Sequence, residues 1–417
     1  MKVLEIEGGR TLSGTIRIGG AKNSAVALIP ACLLTNNKTT LTNVPDITDI
    51  NVLTDILEYV GVKVTRASGS MIIDPENMEN KIIPESLSSK LRASYYFMAS
   101  LLAKYGKVSI HFPGGCKIGS RPIDQTLKVF KALGANIEEE EFLFNISADE
   151  LKGAEITLDM PSVGATVNAV IVGSKAKGTT IIHNAAREPE ITDLANMLNK
   201  MGAHITGAGT STIKIVGEEV LDGCFHDIIP DRIEAGTYVI LGALVGSYLR
   251  IENIIPEHLN ALTDKLHEMG ADIEINQDSI VVNAHDNLIG VNIKTLGYPG
   301  FPTDLQQPFV TLLATAHGKS IVEETIYENR FMNIPYLNKM GANISTKERV
   351  ATILGANKLH GEEVIGTDLR ACASLLLAGL KADGKTVIQN VEHLLRGYEE
   401  ITEKLSNVGA KIELKEI

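Results

Sequence analysis

The chain has 417 residues, which suggests two or three domains, and 44% of them are hydrophobic, as is normal for a globular protein. The net charge of −12 argues against general nucleic-acid binding, and no stretch approaches the roughly 20 apolar residues of a membrane span. The four cysteines lie far apart without a CxxC pair, so we expect neither a zinc site nor a disulfide framework.

The first predicted helix opens after a glycine turn, in "IGGAKNSAVALIP", and carries Lys22 and Asn23 at its start. Backbone N–H groups at a helix start can hold an anion, and a lysine adds a compact positive charge. A lysine in this position is more often simply solvated. The segment alone therefore leaves an anion site and a solvated surface both open.

A glycine-rich loop, "PGGCKIGSR", follows the predicted strand "KVSIHF" and precedes the predicted helix "DQTLKVFKALGA". The loop places Cys116 beside Lys117, with Arg121 just beyond. Positive neighbours lower the pKa of a thiol, so we predict that Cys116 is reactive; the alternative is a loop thiol of no consequence. Cys32 and Cys372 lie in apolar predicted helices and are expected to be packing residues.

A serine–glycine helix start occurs in "PSVGATVNA", at Ser162, Val163 and Gly164. Backbone N–H groups at such a start suit phosphate oxygens. The segment is therefore a candidate phosphate-binding site.

Asp304 lies in "GFPTDLQQPF", after a proline and before an apolar predicted helix. A carboxylate in this position is often only a helix cap. Partial burial would instead raise its pKa toward the range of a general base. Both readings stay open from the sequence.

Arginines form the candidate anion clamp, because the planar guanidinium fork matches carboxylates and phosphates. The candidates are Arg92, Arg121, Arg370 and Arg396. Each could be an ordinary surface ion-pair residue. Arg370 argues against this, since the adjoining helix in "TDLRACASLLLAGL" is too apolar to be a surface face.

One phrase recurs six times along the chain: a helix tail, then "GA" or "GV", then a short alternating strand. Each glycine is expected at a helix C′ position in the left-handed conformation. A more apolar run upstream in each unit predicts a buried first helix and a more exposed second one. The spacing of 68–73 residues suggests six units in two groups of three, with glycines Gly61, Gly134, Gly202, Gly270, Gly341 and Gly409.

The unit plan and the motifs quoted above, with "PDRIEAGTY" and "YENRFMN", resemble the enolpyruvyl transferases from end to end. The resemblance implies an α/β fold, a two-domain inside-out α/β barrel built from six repeated units of about 70 residues. The implied domains are residues 22–229, which carry the cysteine loop, and residues 1–21 with 230–417. It also implies an active cleft between the domains, with the cysteine loop as its lid.

The cysteine loop favours the family members that act on a UDP-sugar. The resemblance then implies transfer of the enolpyruvyl group of phosphoenolpyruvate to the 3-hydroxyl of UDP-N-acetylglucosamine, with release of phosphate. This is the first committed step of peptidoglycan synthesis. We expect a cytoplasmic enzyme without a signal peptide, a metal, an organic cofactor, a nucleic-acid partner or a membrane partner.

The implied catalytic residues are Cys116 as the acid facing C3 of the enol, Asp304 at the sugar hydroxyl, Lys22 and Arg396. Cys116 is also the implied target of fosfomycin. Ile326 is expected near the uracil or the sugar, and its alternative is ordinary strand packing. The implied substrate-binding residues are Lys22, Asn23, Arg92, Arg121, Pro122, Ile123, Asp124, Gln125, Ser162, Val163, Gly164, Asp304, Ile326, Arg370 and Arg396.

Two alternatives remain. One is a family member that uses a shikimate 3-phosphate acceptor, with the same fold and chemistry. The other is a catalytically silent protein that binds UDP-sugars. The silent protein should have lost one of four residues that are all present here, namely Lys22, Cys116, Asp304 and Arg396.

Overall fold

The computed structural model describes residues 2–114, 118 and 122–416. These residues divide into two compact units. The first unit comprises residues 20–114 and 122–229, and the second comprises residues 2–19, 118 and 230–416.

Each unit contains three buried helices and several more exposed ones. The helices are α1 (Lys22–Ala31), α2 (Thr48–Tyr59), α3 (Glu85–Ser88), α4 (Tyr96–Tyr105), α5 (Asp124–Ala132), α6 (Val163–Gly173), α7 (Pro189–Lys200), α8 (Arg232–Val245), α9 (Asn260–Glu268), α10 (Thr303–Thr315), α11 (Ile334–Lys339), α12 (Leu369–Lys381) and α13 (Ile401–Asn407). Short 3₁₀ turns occupy Cys32–Leu34, Arg92–Tyr95, Pro256–Leu259 and Val391–Arg396.

The buried helices are α1, α4 and α6 in the first unit and α8, α10 and α12 in the second. In α12, every residue from Arg370 to Leu380 is buried. A helix that is apolar on all sides has no face to offer to water, so it forms the centre of its unit. By contrast, α5 buries only one face. The prediction of a buried first helix and a more exposed second one is confirmed.

All six recurring glycines adopt a positive φ, between 80° and 104°. Each follows the C-cap residue of an outer helix, as Gly270 follows Met269 after α9. This confirms the predicted left-handed C′ positions.

The strands form small sheets that cover the buried helices. They are β1 (Lys2–Glu7), β2 (Leu12–Arg17), β3 (Thr39–Thr42), β4 (Lys63–Ala67), β5 (Ser70–Asp74), β6 (Lys107–His111), β7 (Asn136–Glu140), β8 (Leu143–Ser147), β9 (Glu155–Thr157), β10 (Thr179–His183), β11 (His204–Thr206), β12 (Thr212–Val216), β13 (Phe225–Asp227), β14 (Gly246–Glu252), β15 (Asp272–Ile275), β16 (Ser279–Asn283), β17 (Ile293–Lys294), β18 (Lys319–Glu323), β19 (Ile344–Lys347), β20 (Val350–Leu354), β21 (Glu363–Ile365), β22 (Lys385–Gln389) and β23 (Lys411–Glu416).

The five four-stranded sheets share one strand order, and the three-stranded sheet lacks only the edge strand that pairs in parallel. In the first unit the orders are β13-β3-β5-β4, β6-β8-β7 and β9-β10-β12-β11. In the second they are β2-β14-β16-β15, β17-β18-β20-β19 and β21-β22-β1-β23. In each four-stranded sheet the edge strand named first pairs in parallel, and the other pairings are antiparallel.

Two edge strands pair with strands that are distant from them in the sequence. β2 directly precedes α1 of the first unit, yet it pairs with β14 of the second. β13 directly precedes α8 of the second unit, yet it pairs with β3 of the first. Within the second unit, β1 lies between β22 and β23 and pairs with both in antiparallel fashion.

None of the helices in the described part of the chain combines the length and the apolar content required to cross a membrane.

Candidate active site

Lys22 is the first residue of α1, and its amine lies 2.8 Å from the Asp49 carboxylate. The side chain of Lys22 is 14% exposed and that of Asp49 only 2%. Asn23 follows in the first turn and is half-buried. The largely buried ion pair argues against a merely solvated lysine.

Arg92 and the start of α6 are linked through Tyr95. The Arg92 guanidinium lies 5.7 Å from the centre of the Tyr95 ring, a cation–π distance. A Cβ atom added at Gly164 would lie 1.6 Å from the Tyr95 hydroxyl, so a larger residue there would have to displace the Tyr95 side chain. The structure therefore brings Arg92 and the 162–164 segment to one place in the first unit.

Gln125 ties the start of α5 to the segment before α6. Its amide Nε2 donates to the carboxylates of Asp124 and Asp159, each at 2.9 Å. Its Oε1 accepts from the Asp159 N–H, also at 2.9 Å. Pro122 and Ile123 directly precede this helix, so the 122–125 candidates lie close to those at 162–164.

Ser162 is the N-cap of α6, and its hydroxyl oxygen accepts from the Ala165 N–H at 3.2 Å. Val163 and Gly164 form the first turn, where backbone N–H groups point out of the helix. These groups, together with the helix dipole, favour an anion at this helix start.

Asp304 occupies the first turn of α10 in the second unit, but it does not cap the helix. One carboxylate oxygen accepts from Arg330, and the other accepts from Arg370 at 3.0 Å. The two arginine side chains are 3% and 5% exposed, whereas that of Asp304 is 27% exposed. The helix-cap alternative is therefore wrong, and Asp304 is the counter-ion of two buried arginines.

The pKa of Asp304 is lowered, whereas the sequence suggested that it would be raised. Burial raises this pKa, but the guanidinium groups of Arg370, Arg330 and Arg232 outweigh burial and hold the pKa well below the usual range of aspartate. The net pKa shift of Asp304 is therefore opposite to the rise that burial alone would give, and its role as a general base stays a prediction. The Asp231 carboxylate also acts on Arg370, so the arginines face a second negative charge besides Asp304.

Arg370 has a second contact on the other side of its guanidinium. Its Nη1 donates to the Tyr398 hydroxyl at 3.2 Å, and its Cζ lies 5.6 Å from the Tyr398 ring centre. Arg370 is 4% exposed, which rules out an ordinary surface ion pair.

The remaining candidates of the second unit lie on loops and turns. Arg396 ends the 3₁₀ turn Val391–Arg396 and is half-buried. Ile326 follows the end of β18 and is 39% exposed, so it is not an ordinary strand-packing residue. Asp231 and Asp368 are the N-caps of α8 and α12, which gives both carboxylates a structural role.

Cys116 and Arg121 lie outside the described residues, so their predicted roles stay predictions. Cys32 and Cys372 are both fully buried, as expected of packing residues. Across the described ranges, His, Cys, Asp and Glu side chains form no group of three or more suited to a metal ion.

Three contact residues escaped sequence reasoning. Asp49 and Tyr398 are buried partners of predicted residues, and nothing in their local sequence marks them. Arg330 lies in the motif "YENRFMN", which pointed to the family but not to this arginine. Its partner Asp304 lies on another element, and a single sequence does not reveal such a pair.

The comparisons with known proteins agree with one another. The sequence profile described as EPSP synthase (3-phosphoshikimate 1-carboxyvinyltransferase) matches residues 6–405. A curated relative from Bacillus cereus, UDP-N-acetylglucosamine 1-carboxyvinyltransferase 2, is 52% identical over 413 residues, covering 99% of this chain and 96% of its own. The protein of the same name from Listeria monocytogenes is 51% identical over 409 residues, covering 98% and 97%.

Solved structures show the same likeness. The enolpyruvyl transferase NikO from Streptomyces tendae superposes with a TM-score of 0.91 at 27% identity, over 99% of both chains. EPSP synthase from Acinetobacter baumannii gives a TM-score of 0.77 at 19% identity over the full length of both, which shows a common fold alone. The chain therefore has a mixed α/β fold with the two-domain architecture of these structures.

Proposed function

The chain belongs to the EPSP synthase family of enolpyruvyl transferases, and from that membership we propose that it uses phosphoenolpyruvate and UDP-N-acetylglucosamine as substrates. It transfers the enolpyruvyl group to the 3-hydroxyl of the sugar and releases phosphate. The reaction commits the sugar nucleotide to peptidoglycan synthesis and takes place in the cytoplasm.

One observation carries the proposal at the site: a partly exposed carboxylate, Asp304, is held between the buried arginines Arg370 and Arg330. The arginines supply fixed positive charge for an anionic substrate, and the carboxylate supplies a proton acceptor beside it. Transfer of an enolpyruvyl group to a hydroxyl requires both.

The chemistry is an addition followed by an elimination. A proton adds to C3 of phosphoenolpyruvate while the sugar O3 bonds to C2 and gives up its own proton. The tetrahedral intermediate then loses a proton from C3, and the bond between C2 and the phosphate oxygen breaks. Proton gain and loss at C3 cancel, so the products are the enolpyruvyl ether and phosphate.

Asp304 is the acceptor of the hydroxyl proton in this proposal. Its low pKa makes it a weak base while both arginines point at it. When the phosphoenolpyruvate anion binds beside Arg370, its negative charge offsets part of the positive potential that the arginines create at Asp304, and the pKa of Asp304 rises. The anion thus prepares the base, and the acceptor hydroxyl is deprotonated only when the donor is bound.

The other candidates divide three tasks among them. Lys22, Arg121, Arg370 and Arg396 hold the phosphate and carboxylate of phosphoenolpyruvate, with Asn23 beside the reacting centre. Cys116 delivers and retrieves the proton at C3. The nucleotide sugar occupies the site formed by Arg92, by the segment 121–125, by the start of α6 at Ser162–Gly164, and by Ile326.

We also propose the finer architecture of the family, an inside-out α/β barrel in two domains with six repeated units. The proposed domains are residues 22–229, and residues 1–21 with 230–417. The shared strand order of the six sheets and their buried helices support this description.

Phosphate release tests the function. We expect release with phosphoenolpyruvate and UDP-N-acetylglucosamine together and not with either alone, with one enolpyruvyl group added to the sugar nucleotide by mass spectrometry. Shikimate 3-phosphate serves as the alternative acceptor, because the matching profile carries the name of the enzyme that uses it. Turnover with shikimate 3-phosphate but not with the sugar nucleotide would overturn the proposal.

A further inference from the structure

A buried chain of hydrogen bonds runs from Arg370 into the backbone of α8. Arg370 donates to the Tyr398 hydroxyl at 3.2 Å, and that hydroxyl lies 2.9 Å from the Thr237 hydroxyl. The Thr237 hydroxyl in turn lies 2.8 Å from the Ile233 carbonyl oxygen. Tyr398 and Thr237 are each 1% exposed.

The direction of this chain follows from chemistry. A guanidinium can only donate, so the Tyr398 oxygen must accept from Arg370. A carbonyl can only accept, so the Thr237 hydrogen points to Ile233. The hydrogen of Tyr398 is then left for the Thr237 oxygen. Every donor has one acceptor, and the chain ends on a helical backbone that cannot rotate.

This arrangement fixes the orientation of Arg370. The Tyr398 hydroxyl holds Nη1, Asp304 holds Nη2, and the Tyr398 ring lies within cation–π distance. Tyr398 also lies two residues after Arg396. The buried Tyr398 side chain therefore also fixes the end of the 3₁₀ turn that carries Arg396.

We propose that Tyr398, supported by Thr237, is a positioning residue that orients Arg370 for the phosphoenolpyruvate anion. The inference rests on the proposed function. Tyr398 does not touch the substrate; its contribution is that Arg370 loses little side-chain freedom when the anion binds. Without the Tyr398 hydroxyl, Arg370 keeps its charge and its hydrogen bond to Asp304 but loses the hydrogen bond that holds Nη1.

The chain offers a matched control. Tyr238 neighbours Thr237 on α8 and is likewise 1% exposed, but its hydroxyl has no hydrogen-bond partner among the described residues. Tyr238→Phe therefore removes a buried tyrosine hydroxyl from the same helix and leaves the hydrogen bonds between Arg370, Tyr398 and Thr237 unchanged.

The experiment measures steady-state kinetics of the full chain. We expect Tyr398→Phe to raise KM for phosphoenolpyruvate about tenfold, as for a lost hydrogen bond to a charged group, while KM for UDP-N-acetylglucosamine changes less than about twofold. Thr237→Val should also raise KM for phosphoenolpyruvate. The double variant should have no higher KM than Tyr398→Phe alone, because both substitutions interrupt the same series of hydrogen bonds to Arg370. Tyr238→Phe should change neither KM.

A second readout separates this inference from the proposed function. Inorganic phosphate should raise the melting temperature of the wild-type chain, and Tyr398→Phe should need about tenfold more phosphate for the same shift. If the wild type shows no substrate-dependent phosphate release, the function fails while the phosphate shift still tests Tyr398. An unchanged KM for phosphoenolpyruvate and an unchanged phosphate shift, or equal effects in Tyr238→Phe, would overturn the role of Tyr398.

Discussion

Asp304 shows how tertiary contacts decide the chemistry of a side chain. Its position after Pro302 suggested a cap, and its partial burial suggested a raised pKa. The structure instead places two arginine guanidiniums on its oxygens, and their charge outweighs burial. Removing one partner of a buried ion pair leaves an uncompensated charge, so substitutions here affect both stability and activity.

The proposed role of Asp304 as a general base gives the first prediction. Asp304→Ala should lower kcat by about 10²–10⁴-fold, the usual contribution of a general base, and should weaken UDP-N-acetylglucosamine binding much less. Calorimetric titration of the nucleotide sugar and initial rates measure the two effects separately. Near-normal turnover in this variant would leave Asp304 with only a charge-balancing role.

The low pKa also has a consequence for stability. A depressed pKa stabilises the fold above the unfolded pKa of about 4, and this contribution is lost as the pH falls below that value. Asp304→Asn removes the contribution. The difference in the free energy of unfolding between wild type and variant should therefore be constant at neutral pH and shrink below about pH 4. Urea unfolding at several pH values measures it, and a difference that grows toward acid would contradict the ion-pair explanation.

The role proposed for Cys116 combines two separable properties, acidity and nucleophilicity. A thiol with a lowered pKa can give and retake a proton near neutral pH, and it can also attack an epoxide. Cys116→Asp keeps a proton donor without sulfur, so we expect an active enzyme that resists fosfomycin. Cys116→Ser offers a much weaker acid, so turnover should fall severely. Mass spectrometry should find one adduct, on Cys116; an adduct on Cys224 instead, or full activity of the serine variant, would contradict the assignment.

The residues that sequence reasoning identified share one property: the neighbouring residues in the sequence predict the local structure around them. Lys22 and Ser162 lie at helix starts, and Arg370 adjoins an apolar helix, all of which can be read along the chain. Arg330, Asp49 and Tyr398 act through partners on other elements. Their contribution depends on distances that arise only when the elements pack, so no single segment reveals it.

The outer helices all end at a glycine, because the residue at the helix end is enough to stop the helix. Glycine at C′ adopts a left-handed backbone that other residues reach only at a cost, so the six "GA" or "GV" pairs mark six helix ends. Strand pairing is different. The partners of β2 and β13 are set by contacts more than 180 residues away, and the alternating pattern of a strand does not state which neighbour it has.

These glycines allow a test of backbone strain against steric crowding. At Gly270, φ is 80° and an added Cβ would meet nothing within 4 Å, so Gly270→Ala should cost about 1–2 kcal/mol from the backbone alone. At Gly341 the added Cβ would lie 2.9 Å from the Lys358 carbonyl oxygen, so Gly341→Ala should cost more. Gly270→Asn should cost less than Gly270→Ala, because asparagine tolerates this conformation. Urea unfolding compares the three, and equal losses for the two alanine variants would show that crowding at Gly341 is relieved elsewhere.

The path of the chain makes the second unit depend on its most N-terminal strand. β1 lies in the interior of its sheet, where Leu4 faces Ile388 on one neighbour and Leu414 on the other. Leu4 and Ile6 are 0% and 1% exposed. β23 pairs with no other strand in the described sheet, so β1 joins the two C-terminal strands that flank it.

Removal of β1 should therefore destabilise one unit more than the other. Deleting residues 2–7 leaves β22 and β23 without their shared partner and exposes the apolar side chains that Leu4 and Ile6 cover. We expect amide hydrogen exchange to accelerate strongly in β22 and β23, while β10 and β12 of the first unit keep their protection. Glu7→Ala serves as the control: it removes only exposed side-chain ion pairs, such as that with Lys411 of β23, and keeps the backbone pairing of β1, so it should leave both regions protected. Equal loss of protection in β10 and β22 would mean that the two units unfold as one cooperative body, and unchanged protection in β22 and β23 would mean that β1 does not hold them together.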